Sequence, residues 1–309
     1  MKKVIVFGSL NIDMTIKSAR IPKAGETIDG DDFFANAGGK GANQAVAAAK
    51  LGAETFLIGR AGADVFGNAI LEKLKGYGVH CSLVSRSKHL PTGTAVILRS
   101  EGDNRIILAA GANHEMQISE VESALRSIAE PGDIFLTQFE CDYQTTLEAI
   151  RFAKKIGLFT LMNPAPAKKI PDLLYPFINQ IVMNQTECEY LTGIYPRSEA
   201  DYRKAVTFFQ TKGAGSAIVT LGPHGSVAVE KDKIRQVRSY RVPHVDTTAA
   251  GDSYIGALAV AEARGEDLSS SMVFATKAAA LTITKEGAQQ SIPYASELTK
   301  FYKEEREYE

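Results

Sequence analysis

The amino-acid sequence predicts an α/β fold: a doubly wound, mainly parallel β-sheet with helices on both faces, and a small β-sheet that lids it. Three observations point there. Short apolar runs, the mark of strands buried on both faces, alternate with longer helical stretches along most of the chain. Glycines close several of those helical stretches. Two segments, Thr15 to Asn36 and Thr94 to Leu108, break the rhythm with strand-like sequence and no intervening helix. At 309 residues the chain suits one large domain with a small accessory better than two full-sized domains. Residues 1–309 are therefore read as a single domain whose lid is formed from about 14–36 and 92–110.

In order along the chain, "KKVIVFGS" reads as a buried strand that ends at Gly8 and delivers Asn11 and Asp13 to a loop. The alanine-rich "GANQAVAAAKLG" from Gly41 reads as a helix stopped at Gly52, its small side chains suited to close packing on a sheet. "ETFLIGRAG" follows as a strand and "FGNAILEKLKGYGV" as a helix ending in glycines; in the second lid segment "EGDN" supplies a turn. A helix is expected from about Ser119 to Ser127, then strand "DIFLTQ", helix "TLEAIRFAKKIG", strands "LFTLMN" and "INQIVMN", and helix "TECEYLTG". "TLGPHGSVAVE" ends one strand in a glycine turn and begins another, and the run from Tyr254 to Ala263 is apolar enough for a helix buried in the core.

Hydrophobic residues at 45% and charged ones at 23% are ordinary for a globular enzyme, and a net charge of -1 gives no pull toward nucleic acid or an anionic membrane. Cys81, Cys141 and Cys188 lack CxxC spacing and the histidines are scattered, so neither a disulfide framework nor a zinc site is indicated, and reduced, buried thiols are expected. The apolar run Val4 to Phe7 is too short for a signal-peptide core, and no stretch reaches membrane-spanning length. A cytoplasmic protein with small-molecule partners is expected.

The common nucleotide signatures fail. "GGKGAN" lacks the gap and the Lys-Ser/Thr ending of a P-loop, it lacks the third glycine of a dinucleotide fingerprint, and no HRD or DFG stretch exists. Any phosphate cradle must be built differently. "NAGGKGANQA" sets Gly38, Gly39 and Gly41 around Lys40 with the amide of Asn43 nearby, so a backbone free to approach a ligand carries one cation. That suits a polyhydroxylated ligand, and a glycine-rich helix entrance with a solvated lysine explains it as well. The turn in "TLGPHG" could hold phosphate oxygens on backbone N–H groups, or be a plain hairpin.

"DTTAAGDSY", residues 246 to 254, carries the sharper signal. Ala250 and Gly251 leave no side chain to block an oxyanion, and the free N–H groups and positive dipole end of the following helix point at the neighbourhood of Asp252. Such a start stabilises an anion and keeps an acid ionised. Phosphoryl transfer to an alcohol needs both: a carboxylate to orient and take the hydroxyl proton, and donors for charge on the transferred group. The alternative is an aspartate that merely caps the helix, worth about 1 kcal/mol.

With "GGKGAN" near the N-terminus and "DTTAAGD" near the C-terminus, the chain resembles the ribokinase-like carbohydrate kinase family over essentially its whole length. The resemblance implies that Asn11, Asp13, Gly39, Lys40, Gly41, Asn43 and Glu140 hold sugar hydroxyls and that Asp252 is the catalytic base, with Ala249, Ala250 and Gly251 as the anion hole. It implies that Asn184 and Glu187 of "NQTE" organise Mg2+ and phosphate, that Thr220, Gly222, Gly225 and Gly251 lie over the ATP phosphates, and that Thr276 lies near the adenine. A monovalent cation, K+ or another, is implied at Asp246, Thr248, Thr282, Lys285, Gly287 and Ser291, many of them through backbone carbonyls. The implied reaction is ATP-dependent phosphorylation of the 5-hydroxyl of D-ribose, giving ribose 5-phosphate and ADP, in a homodimer joined through the lids. Deoxyribose, a ketose, a sugar acid or a nucleoside remain open as acceptors, as does a catalytically silent sugar-binding protein. The chain departs from the family pattern at Gln185 and Thr276, and its lid carries Arg99 and Arg105, which read as solvated lid-strand arginines; one facing inward would instead favour an acidic or phosphorylated sugar.

Overall fold

The computed structural model, which describes residues 1–100, 103–230 and 233–307, begins with β1 (Val4–Phe7), fully buried along its length as a central parallel strand requires. The chain then leaves for β2 (Asn11–Lys17) and β3 (Asp31–Gly38), returns through α1 (Lys40–Lys50) to β4 (Thr55–Gly62), and passes α2 (Val65–Gly76) to the short β5 (Val79–His80) and β6 (Val84–Ser87). A second excursion makes β7 (Gly93–Ser100) and β8 (Asp103–Ala109). Next come α3 (Ile118–Ile128), β9 (Ile134–Thr137), α4 (Tyr143–Lys155), β10 (Phe159–Met162), β11 (Gln180–Asn184), α5 (Gln185–Thr192), α6 (Glu199–Thr211) and β12 (Ser216–Thr220). The hairpin β13 (Ser226–Glu230) and β14 (Lys233–Val237) precedes the closing helices α7 (Ala250–Arg264), α8 (Leu268–Thr282) and α9 (Ala295–Glu307).

Among the described residues the main sheet runs β14-β13-β12-β11-β10-β9-β1-β4-β5, with β6 also paired to β4. Pairings from β12 to β5 are parallel, and β13 and β14 add an antiparallel edge. The doubly wound, mainly parallel sheet read from the sequence is the one that forms. Strand order reverses at β1, which pairs with β4 on one side and β9 on the other, so a crevice opens beyond its carboxyl end. One apolar core lies on the face of α1, α7 and α8, and another on the face of α3, α4 and α6.

Small residues set how closely the first of those faces packs. A Cβ on Gly256 of α7 would lie 2.5 Å from Ala47 Cβ and 2.8 Å from the Gln44 carbonyl, and one on Gly41 would lie 2.4 Å from the Gly8 carbonyl carbon. A larger residue at either place would prise α1 from its neighbours, because close-packed interiors do not absorb an added methyl without displacement. The alanine and glycine content of α1 thus brings its N-terminal residues against both β1 and α7.

The second sheet has the order β3-β2-β7-β8, with β2 parallel to β7 and the outer pairs antiparallel. Here one expectation is corrected: Asn11 and Asp13 lie on a strand, not in a loop. Asn11 is paired with Gly38 and Gly93, and Asp13 with Asn36 and Ala95, so ladder hydrogen bonds on both edges extend the backbone immediately beyond β1. Between β2 and β3, residues 18–30 form no strand. Of the expected "EGDN" turn, Glu101 and Gly102 lie outside the described residues. Cys81, Cys141 and Cys188 are buried free thiols, and no helix among the described residues is long and apolar enough to cross a membrane.

Candidate active site

The crevice beyond β1 is organised around Ser9 and Glu140. Ser9 Oγ donates to Glu140 Oε2 at 2.5 Å and accepts from the Gly41 N–H at 3.2 Å, while the Lys40 N–H donates to the same Glu140 oxygen at 3.0 Å. The start of α1 is thereby fastened to the loop after β9. Asn11 is oriented from behind by Asn113, whose Nδ2 donates to Asn11 Oδ1 at 2.8 Å and whose Oδ1 accepts from the Leu10 N–H at 2.9 Å. Gly38 makes room for Asp13: a Cβ there would lie 2.0 Å from Asp13 Oδ2. Gly39, at φ 90, turns the chain from β3 into α1 in a conformation that favours glycine.

Asp252 sits in the first turn of α7 and is 8% exposed. Its Oδ2 accepts from Asn43 Nδ2 at 3.0 Å and its Oδ1 from Gln44 Nε2 at 3.0 Å, so both oxygens are held by amides of α1. Gln44 is in turn fixed by Gln138, whose Nε2 donates to Gln44 Oε1 at 2.6 Å. Ala249, just before the helix, lies in the left-handed region at φ 61, and no side chain caps the helix start. Helix capping therefore does not account for the aspartate: its carboxylate is turned to α1. The Ala250 N–H closes a turn onto the Thr247 carbonyl at 3.2 Å, and Gly251 has nothing within 4 Å of where a Cβ would stand. An approaching anion meets bare backbone there.

Two cavities meet at this point. One of about 500 Å³ lies under the second sheet and is lined by Asn11, Asp13, Gly39, Asn43 and Glu140 as well as residues of that sheet. The other, of about 150 Å³, is lined by Asn163, Asn184, Glu187, Thr220 and Gly251. Lys40, Ala249 and Asp252 line both.

On the smaller cavity, Asn184 and Glu187 form a reciprocal cap on α5: Asn184 Oδ1 accepts from the Glu187 N–H at 2.8 Å, and the Asn184 N–H donates to Glu187 Oε2 at 2.9 Å. Gly222 and Gly225, at φ 56 and 89, shape the turn after Thr220, and Gln185 is turned away to the Pro196 carbonyl at 2.8 Å. Thr276 is buried in α8 with its hydroxyl on the Met272 carbonyl at 2.7 Å, and it is not among the residues that line either cavity.

Asp246 joins two loops beside the larger cavity. Its Oδ1 accepts from the Thr248 N–H and hydroxyl at 2.9 and 2.7 Å, and its Oδ2 accepts from the Gly287 N–H at 3.0 Å. Although burial opposes it, these bonds and the charge of Arg99 hold the Asp246 carboxyl below its ordinary range. Thr282 and Ser291 are fully buried with hydroxyls engaged on Ser253 and Ala288, and the Lys285 side chain is paired with Glu297.

Charge in the crevice is balanced through Lys40. Burial pulls its ammonium down, but the carboxylates of Asp252, Glu140, Glu187 and Asp13 outweigh it and leave the pKa above the ordinary value. The solvated lysine is therefore not what the chain builds. Burial, with the charges of Glu140 and Asp252, pushes the Asp13 carboxyl up to about 7 against the pull of Lys40. Burial also raises Glu187.

Amides and carboxylates on one side, an open helix start and a threonine turn on the other, and a carboxylate between them fit a phosphotransferase with an alcohol group as acceptor. The chain belongs to the pfkB family of carbohydrate kinases, whose pattern matches residues 1–295. It is similar to a ribokinase of Staphylococcus aureus, 36% identical over 96% of this chain and 98% of that one. It is also similar to a deoxyribokinase of Salmonella typhimurium, at 32% over 96% and 98%. Among solved structures, that of Arabidopsis thaliana ribokinase complexed with ribose and ATP superposes with a TM-score of 0.88 at 32% identity, covering 97% of this chain and 98% of the other.

Ser9, Gln44, Asn113, Gln138 and Asn163 also build the site and were not singled out from the sequence. Ser9, Gln138 and Asn163 had a signal, since each is a polar residue just beyond or at the carboxyl end of an apolar strand. Gln44 and Asn113 carried none.

Proposed function

We propose that the chain transfers the γ-phosphoryl group of ATP to the 5-hydroxyl of D-ribose, giving ribose 5-phosphate and ADP. The observation that carries this is the meeting, at Lys40, Ala249 and Asp252, of a cavity lined by amides and carboxylates with one that faces Asn184, Glu187, Thr220 and Gly251. In this reading Asn11, Asp13, Asn43 and Glu140 hold the sugar with the backbone at Gly39. Asp252 orients the 5-hydroxyl and takes its proton as the oxygen attacks, while Lys40 and the amides at Gly251 meet the charge on the phosphoryl group. The second sheet acts as a lid over one domain, excluding water that would otherwise accept the phosphoryl group.

Glu187, a carboxylate lifted by burial and facing the same cavity as Thr220, fits Mg2+ held through water. The metal supplies charge neutralisation on the phosphates. In the same reading K+ would sit at the loops that Asp246 joins, held by main-chain carbonyls, and would steady the anion-hole loop. Phe33, Val96 and Ile107 are exposed on the outer face of the lid, which favours a homodimer through that face. Dependence on ATP suits a cytoplasmic setting.

Arg99 lines the larger cavity, whereas Arg105, paired in register with Leu98, belongs to the other face of the lid. Arg99 stands four residues along β7 from Ala95, the register partner of Asp13, and its charge acts on Asp246 on the cavity's far side. ADP release with ATP and Mg2+, with and without K+, across ribose, deoxyribose, fructose, 2-keto-3-deoxygluconate and adenosine tests the reading. The expected result is a kcat/KM for ribose at least about 10-fold above every other acceptor. Preference for the sugar acid would move specificity to Arg99, and silence on every acceptor would leave a binding protein.

Asp13 gives a prediction on stability. Its folded pKa is raised to about 7, so the stability it contributes is fully present below its unfolded value near 4 and is lost as pH rises through 7. Asp13→Asn should raise the Tm of the ligand-free protein at pH 8 by at least roughly 2–4 °C, the shift expected of 1 kcal/mol, with little change at pH 4. The KM for ribose should rise in the same variant. Equal melting curves at pH 8 would place the carboxylate in a more hydrated setting than the fold provides.

A further inference from the structure

Asn43 can present either end of its amide to Asp252, and only one end helps. With Nδ2 toward the carboxylate it donates, at 3.0 Å; turned over, it would set Oδ1 against Asp252 Oδ2. The choice is made on the far side, where Gln289 Nε2 donates to Asn43 Oδ1 at 3.2 Å. Gln289 is 1% exposed, and its Oε1 has no hydrogen-bond partner among the described residues. A buried amide oxygen without a partner is unfavourable, so space filling alone would be better served by an apolar side chain. The backbone of Gln289 is also tied down: Lys50 Nζ, at the end of α1, donates to the carbonyls of Gln289 and Ile292 at 2.8 and 2.9 Å. The same ammonium lies over the rings of Tyr77 and Tyr294.

We propose that Gln289 is a positioning residue for phosphoryl transfer: its side-chain amide fixes the orientation of Asn43, which fixes the Asp252 carboxylate toward the reacting hydroxyl, and Lys50 holds Gln289 in place. The proposal rests on the reading of Asp252 as the base. Asp252 Oδ1 keeps its bond from Gln44 when Gln289 is altered, so the carboxylate stays in the site but is free to turn about a single anchor. The loss then falls on the chemical step more than on binding.

The test is steady-state kinetics of the full chain for Gln289→Met and Gln289→Glu, with Asp252→Asn alongside and folding checked by thermal melting and ADP binding. Gln289→Met should lower kcat on the order of 10- to 100-fold, as small misplacements of reacting groups do, with KM for ATP within about 3-fold and any rise in KM for ribose, which Asn43 also holds, smaller than the fall in kcat. The glutamate of Gln289→Glu donates to Asn43 only while protonated; once ionised it accepts from Asn43 and draws it off Asp252. Its kcat relative to the unaltered protein should therefore rise toward acid pH, which a merely structural role would not produce. Full turnover in Gln289→Met, a loss confined to KM, or a pH-independent ratio for Gln289→Glu would overturn the proposal. If Gln289→Met does not fold, the pH ratio of Gln289→Glu decides. Full turnover in Asp252→Asn would instead overturn the base assignment and the relay with it, whereas loss in Asp252→Asn beside full turnover in Gln289→Met would overturn the relay alone.

Discussion

Asp252→Asn is expected to lower turnover by at least about 100-fold, the scale of a positioned acid-base group, while leaving the fold and ribose binding in place. The carboxylate is 8% exposed and both its oxygens accept from side-chain amides, Asn43 on one and Gln44 on the other. An asparagine fills the same volume, but its NH2 end meets one of those amide donors head-on, and neither end can take a hydroxyl proton. Ribose binding by calorimetry and ADP release by coupled assay separate the two effects. Near-normal turnover would remove Asp252 from the role of base.

Lys40→Met is expected to lower kcat/KM by on the order of 100- to 5000-fold, the equivalent of the roughly 3–5 kcal/mol typical when one partner of a buried charge cluster is removed. Lys40 is held above its ordinary pKa by Asp252, Glu140, Glu187 and Asp13, so without it those carboxylates lose a shared counter-charge. Asp13 responds most legibly. Lys40 is the influence that lowers it, and in its absence Asp13 should titrate above about 7. Since an ionised Asp13 is the better acceptor for a sugar hydroxyl, the acid limb of kcat/KM should move to higher pH. A limb that stays where it is, with near-normal kcat/KM, would detach Lys40 from the site.

What could be read beforehand was what local sequence determines. The apolar β1, the glycine-bounded α1 and the helix start at Ala250 each follow from residues within a turn or two of one another, as does the presence of a second sheet. The strand position of Asp13 did not, because it depends on pairing with Asn36 and Ala95, distant in the chain. A run of five residues after Gly8 reads as a loop until those partners are known. The cap on α5 and the acidic wall at Glu187 share the same residues, so Asn184 and Glu187 suit a helix start as well as a phosphate site. Gln289 was illegible for a different reason. It is an ordinary glutamine in "GAQQS" whose meaning lies in a contact with Asn43, on the other side of the chain's length. Packing also hid in composition: Gly256 and Ala47 announce small residues, but not that they would meet.

The most direct measurement is phosphorus NMR, with proton coupling retained, of the protein incubated with ATP, Mg2+ and D-ribose. A new phosphomonoester resonance split into a triplet by the paired protons of C5, growing in step with ADP, is the expected result. A doublet would place the phosphoryl group on the anomeric or a secondary hydroxyl, each on a carbon with one proton, and ADP accompanied only by inorganic phosphate would mean that water, not the sugar, is the acceptor; either would contradict transfer to the 5-hydroxyl at Asp252.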